Sequence, residues 1–244
     1  MSDQAGAGTE RLAELATNLA AVRARIAAAC TAAGRHPADV TLIAVTKTFP
    51  VSDIAALSRL GVTDIGENRD SEAGPKAAAA AAAGLALRWH FIGQLQVNKA
   101  GRVVGYADVV HSVDRIRLAE ALGRRAGVAG RVISCLVQVS LDEPGLAAGR
   151  GGADPGEVPA VAAAIAAQPS LRLAGVMGIA PLGQPARPAY ARLRQIAELV
   201  RAAHPGAQML SAGMSDDMGE AIAEGATHVR IGTALLGGRR PFVR

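Results

Sequence analysis

Eight short runs rich in valine, isoleucine and leucine recur between residues 42 and 231, and a stretch with helically spaced apolar residues separates each from the next. The runs are residues 42–46, 62–66, 88–92, 108–113, 132–139, 173–179, 208–211 and 228–231. The helical stretches are 52–60, 69–83, 95–104, 114–126, 156–167, 187–203 and 215–224. Strands that alternate with helices pair in parallel, and a strand covered on both faces reads as a continuous apolar run. Eight such units in 244 residues predict an α/β fold with one domain, a closed (β/α)8 TIM barrel. The open doubly wound sheet is the alternative. Its glycine-rich dinucleotide turn is absent after the first run, where the chain reads TKTFPVS (46–52), and the glycine-rich segment 149–156 reads as an ordinary loop. Ahead of the first strand, residues 9–33 carry apolar residues at helical spacing, with Thr9 as N-cap, and predict an extra N-terminal helix.

Several function classes are disfavoured. Uncharged stretches such as 77–87 fall short of the ~20 residues that a membrane helix needs. The opening MSDQAGAGTE lacks the basic flank and apolar centre of a secretory signal, and Cys30 and Cys135 show no metal-ligand spacing, so a reducing cytoplasm is expected. The net charge of +5 comes with scattered arginines and only 2% aromatic residues, too few for the stacking platforms of single-strand nucleic-acid readers. The cluster Arg239, Arg240 and Arg244 reads as a solvated tail.

The basic residues include only three lysines: Lys47, Lys76 and Lys99. An amine, unlike a guanidinium, can lose its proton and form an imine, and burial eases that loss. Lys47 ends the apolar run LIAVTK (42–47), where it suits carbonyl chemistry, and equally suits a lysine snorkelling from a sheet edge. In a barrel the active residues gather at the C-terminal ends of strands, often with a phosphate site after strands seven and eight. Here those strands run into LSAGMSDDM (210–218) and RIGTALLG (230–237). Ser211, Gly232 and Thr233 are the expected phosphate contacts, with backbone N–H groups at a helix start, although the glycines would also serve simple turns. Closure of the barrel sets strand eight against strand one, so Lys47 and Arg230 become neighbours. An imine-forming amine beside a phosphate cradle points to an aldehyde-bearing phosphate ester, pyridoxal 5′-phosphate first among them, with a sugar-phosphate Schiff base as the other reading.

Other residues are open to two readings. Asn68 and His90, near the ends of strands two and three, could face the cofactor, while Asn68 could cap a helix and His90 could be a satisfied core histidine. Met177 could line the pocket or simply pack. His111, Asp114, Asp216 and Asp217 suit capping and helix-dipole roles. Lys76 and Lys99 could bind a second cofactor molecule or sit idle in solvent.

The segments LIAVTKTFP, DIGENR, WHFIGQLQVNK, HSVD, GVMGIA and LSAGMSDDMGEAIAEGATHVRIGTALLG together resemble the pyridoxal phosphate homeostasis proteins over nearly the whole chain. That resemblance implies a barrel like the N-terminal domain of bacterial alanine racemase, with the cofactor on the first-strand lysine, here Lys47. It implies that Arg230, the arginine of the VRIG block, faces the pyridine nitrogen. The implied role is a cytoplasmic, monomeric carrier in vitamin B6 homeostasis that holds pyridoxal 5′-phosphate as a lysine aldimine and passes it to apo-enzymes, with neither nucleic acid nor membrane as partner. The runner-up is a racemase-like enzyme. Racemisation needs a base on each face of the substrate carbon, and in racemases one is a tyrosine of a second domain. No such domain is expected here, and Tyr106 and Tyr190 fall in or beside helices. The chain departs from the family pattern at Ala212, where methionine is common, and at Arg69, where an aromatic is common.

Overall fold

The computed structural model describes residues 2–142 and 151–238, the side chains of residues 2–7 aside. The expected arginine tail (Arg239, Arg240, Arg244) and the start of the 149–156 loop lie outside the described residues.

Eight parallel strands close into a barrel in sequence order: β1 (Thr41–Val45), β2 (Asp64–Glu67), β3 (Arg88–Phe91), β4 (Val109–Val113), β5 (Ile133–Val139), β6 (Leu171–Gly178), β7 (Met209–Ser211) and β8 (His228–Ile231). The TIM-barrel expectation holds and the open-sheet alternative does not, because β8 pairs with β1 in the register Thr41↔His228 to Ala44↔Ile231. The helices are α1 (Ser2–Ala32), α2 (Val51–Arg59), α3 (Asp70–Ala82), α4 (Ala100–Val104), α5 (Ile116–Val128), α6 (Val158–Ala166), α7 (Ala186–Ala203), α8 (Met218–Ala223) and α9 (Thr233–Leu236).

Two boundaries differ from expectation. The first helix starts at Ser2, so Thr9 is an interior residue and no N-cap; Gly6 and Gly8 lower helix propensity by only about 1 kcal/mol each and do not stop a helix. Residues 95–104, expected as one helix, divide into a 3-10 turn at Val97–Lys99 and the short α4.

Strand alternation sorts the side chains into two sets. Outward residues such as Ala44, Ile65, Phe91, Val110, Cys135, Val176, Leu210 and Ile231 are buried under the helices and form the main apolar layers. Inward residues fill the barrel. On the β4–β6 side they are apolar, with Val109, Leu136, Ala174 and Met177 in one cluster. Elsewhere the inward residues combine the apolar Ile43 and Val45 of β1 with the polar Asp64, His90, His111, Ser211, His228 and Arg230, and that polar set marks the candidate site. Helix α1 lies outside the ring, packed on α2, α8 and α9 through Leu15, Leu19, Val22 and Ile26.

Candidate functional site

A methyl group added at Gly66 would come within 2.9 Å of Ile43 Cγ2 and 3.5 Å of Val45 Cγ2, which fixes residues 43 and 45 of β1 as inward. Continuing the alternation carries Lys47 to the inner side of the barrel mouth, two residues past the strand, half-buried in a turn. Among the described residues its ammonium has no hydrogen bond or ion pair. The turn around it is held tightly. Lys76 Nζ donates to Thr46 O at 2.9 Å, Thr46 Oγ1 donates to Glu67 Oε1 at 2.7 Å, and the Thr48 N–H donates to Glu72 Oε2 at 3.1 Å. Thr48 sits at φ +69°, a left-handed conformation that a β-branched residue adopts only under constraint. The residues on both sides of Lys47 are thus anchored to β2 and α3 while the amine itself is left open.

Lys76 is neither idle in solvent nor available for a second ligand. It is buried, its Nζ lies 2.7 Å from Glu67 Oε1, and Glu72 flanks it at 3.9 Å. Burial pushes the Glu67 carboxyl up, against the lowering effect of Lys76 and Thr46. Lys99 is exposed at the end of its 3-10 turn.

On β8, the strand neighbouring β1, Arg230 is paired in register with the inward Ile43, is 4% exposed and points inward. Its Nη1 donates to Ser211 Oγ at 2.7 Å and its Nη2 to Gly178 O at 2.9 Å. Burial presses its pKa down, and Tyr190 and Asp217 press it back up. Ser211, expected at the phosphate, is fully buried and engaged by Arg230 and by His111 Nδ1 at 3.0 Å. His90 lies deeper still in this network, with Nδ1 2.9 Å from His111 Nε2 and Nε2 2.9 Å from Asp64 Oδ1. Neither nitrogen of His90 is free to meet a ligand. His111 is not a capping residue but a barrel-interior one, because β4 runs through it. Met177 is fully buried in the apolar inner cluster.

The loops after β7 and β8 meet at the rim. Ser215 Oγ accepts the Ala234 N–H at 3.3 Å, so the hydroxyl stands at the start of α9, beside half-buried Gly232 and exposed Thr233. Gly213, at φ +90°, lets the β7 loop turn against α8, where an added Cβ would lie 2.7 Å from Ala221 Cβ and clash. Helix α1 fixes this corner from outside: Arg25 donates to Ser215 O at 2.6 Å, Asn18 to Leu235 O at 3.1 Å and Arg11 to Leu236 O at 3.0 Å. Asn68, after β2, packs its backbone so closely on Gly93 that a Cβ there would lie 2.0 Å from Asn68 O. Its buried Oδ1 has no partner among the described residues.

Sequence reasoning brought out Lys47, Arg230 and the two loops. It missed Glu67, Lys76, Asp64 and the interior role of His111. A usable signal was present, since Asp64, His90, His111, Ser211, His228 and Arg230 all fall on the inward parity of their strands. Asp217 is the N-cap residue of α8 by position but makes no side-chain cap bond; its Oδ1 accepts the Met214 N–H and its Oδ2 accepts the Tyr190 hydroxyl at 2.7 Å.

Residues 17–240 match the alanine racemase N-terminal domain family. A pyridoxal phosphate homeostasis protein of Mycobacterium tuberculosis is 42% identical, covering 98% of each chain. One from Escherichia coli is 39% identical over 93% of this chain and 97% of its own. The solved structure of PipY from Synechococcus elongatus, with PLP bound, superposes with a TM-score of 0.79 at 36% identity, covering 91% of this chain and 100% of that one.

Proposed function

Because the chain belongs to the pyridoxal phosphate homeostasis proteins, within the alanine racemase N-terminal domain family, we propose that it holds pyridoxal 5′-phosphate as a Schiff base on Lys47 and delivers the cofactor to apo-enzymes. The observation that carries the reading is the contrast among the lysines. Lys47 alone combines an inward position at the barrel mouth with an amine free of partners among the described residues, in a turn anchored on both sides.

The residues present suit that group. When bound, it supplies an aldehyde for imine formation and a pyridine ring able to take up electron density. Lys47 offers the amine. Gly232, Thr233 and Ser215, at the start of α9, offer hydroxyls and backbone donors to the phosphate, with Ser211 acting from within through Arg230. Asn68 and Met177 complete the wall in this proposal, and His90 contributes through its hydrogen bonds. With the cofactor bound in this way, Arg230 would face the ring nitrogen. A guanidinium has donors only and keeps its proton, so it favours an unprotonated ring and makes the cofactor a poor electron sink. A site built in this way retains an aldehyde better than it drives carbanion chemistry.

The tyrosines support the same conclusion. Burial raises both the Tyr106 and Tyr190 phenols above their ordinary value, and Tyr190 is further tied to Asp217, so neither offers a phenolate base. We therefore propose a carrier without efficient turnover, monomeric, working in the reducing cytoplasm; the two described cysteines are buried and unpaired, which suits that compartment.

Borohydride reduction followed by peptide mapping tests the attachment. The adduct is expected on Lys47, with the visible absorption band lost in Lys47→Ala and cofactor retention weakened in Arg230→Gln and Thr233→Val while the far-UV spectrum is kept. An adduct on Lys76 or Lys99 would overturn the reading.

A further inference from the structure

The polar groups inside the barrel form one continuous chain: Arg230 Nη1 to Ser211 Oγ (2.7 Å), Ser211 Oγ to His111 Nδ1 (3.0 Å), His111 Nε2 to His90 Nδ1 (2.9 Å) and His90 Nε2 to Asp64 Oδ1 (2.9 Å). It crosses the barrel from the Arg230 site to the first residue of β2. There Asp64 lines a cavity of about 510 Å³ shared with Arg23 and Thr41 on the α1 side.

The Asp64 end sets the direction of the chain, and the Arg230 end is compatible with it. Arg230 can only donate, so Ser211 Oγ accepts from it and keeps its own proton to offer to His111 Nδ1 once that nitrogen is bare. A bare Nδ1 puts the proton of neutral His111 on Nε2, from which it is donated to His90 Nδ1. His90 in turn carries its proton on Nε2 and donates to Asp64. An ionised carboxylate accepts only, and the other oxygen of Asp64 already takes the Thr63 hydroxyl at 3.0 Å. The reverse direction would need a proton on Asp64 or an imidazolium at His90. An imidazolium there would be buried close to Arg88 and with its ring centre 6.4 Å from that of His228, with Arg230 beyond His111, while Asp64 and Asp108 would oppose it.

We infer that Asp64 is a positioning residue for Arg230: it holds His90 and His111 as Nε2–H tautomers, and so keeps the lone pair of Ser211 turned to the guanidinium at the cofactor site. The inference rests on the proposed role of Arg230, but its first test does not need the cofactor. Nitrogen-15 spectra of the apo protein at pH 7.5, with His90 and His111 assigned by single substitution, should show both rings neutral and protonated on Nε2. In Asp64→Asn the side-chain amide can donate as well as accept, so both rings should acquire Nδ1–H character. His111 then competes with Arg230 for Ser211, and cofactor release should be about fivefold faster with secondary structure intact. An Nδ1–H or doubly protonated signal from either ring in the unaltered protein would overturn the inference, as would altered tautomers in Asp64→Asn with release unchanged. If Asp64→Asn fails to fold, the spectrum of the unaltered protein still decides the direction of the chain. Failure of the unaltered protein to take up cofactor would refute the carrier reading, and the tautomers would still decide the chain.

Discussion

Lys76 shows how a buried ion pair can hold the turn that carries Lys47, the proposed attachment residue. Its ammonium bonds both Glu67 and the carbonyl of Thr46, next to Lys47. Removing one partner of a buried pair leaves the other charge unsatisfied, which is costlier than losing the bond alone. Lys76→Met is therefore expected to destabilise the fold by ~3 kcal/mol, read as a lower denaturation midpoint at unchanged slope, and to slow Schiff-base formation as the Lys47 turn loosens. Lys76→Met combined with Glu67→Gln should recover part of the stability. A double variant no more stable than the single one would mean that Lys76 acts through packing rather than charge.

At the scale of elements, α1 lies outside the barrel yet holds the corner proposed for the phosphate. Arg11 forms a pair with Asp53 of α2 at 2.7 Å and a bond to the last carbonyl of α9, and Asn18 and Arg25 hold the neighbouring backbone. A helix of four residues cannot sustain itself, so α9 depends on these contacts. Arg11→Ala leaves the buried Asp53 unpaired and should cost ~3 kcal/mol of stability. It should also weaken phosphate retention more than Arg59→Ala, on the solvent side of α2, measured by dialysis of the loaded protein. Equal retention in the two variants would show that α9 is positioned without α1.

For the molecule as a whole, the buried histidines dictate how stability follows pH. Burial is the main cause that lowers His90, His111 and His228, the last to about 4. They stay neutral in the folded barrel where the unfolded chain has begun to bind protons. Stability is then fully present above the unfolded value of 6.5 and declines as pH falls below it. His228 alone should contribute a loss of roughly 2 kcal/mol between pH 7.5 and pH 5. Asp64 acts in a separate window. Burial is the largest influence and raises its carboxyl, but the hydrogen bonds from His90 and Thr63 and the charges of His90 and Arg88 together outweigh it and the net pKa is lowered, so its contribution is lost only below the ordinary carboxylate range. Thermal melts should therefore move down steadily from pH 7 to pH 5. A flat melting temperature over that interval would contradict the neutral, buried state of the three rings.

Local pattern was enough to give the barrel, because strand and helix periods differ and the eight repeats leave few closed arrangements. It also brought out Lys47 and Arg230, since strands one and eight must be neighbours once the ring closes, and the glycine-bearing loops 210–218 and 230–237, which mark a rim. The inward or outward sense of a polar residue was a matter of parity, and could be read only where strand limits were known to one residue. For that reason His111, one residue from the outward Val110, was read as a cap. The partners of Glu67, Lys76, Asp64 and Ser211 lie up to 100 residues away along the chain. Such pairings depend on where closure of the ring brings distant strands and helices, and a charged side chain in a sequence carries no sign of whether it will meet water or its counterpart.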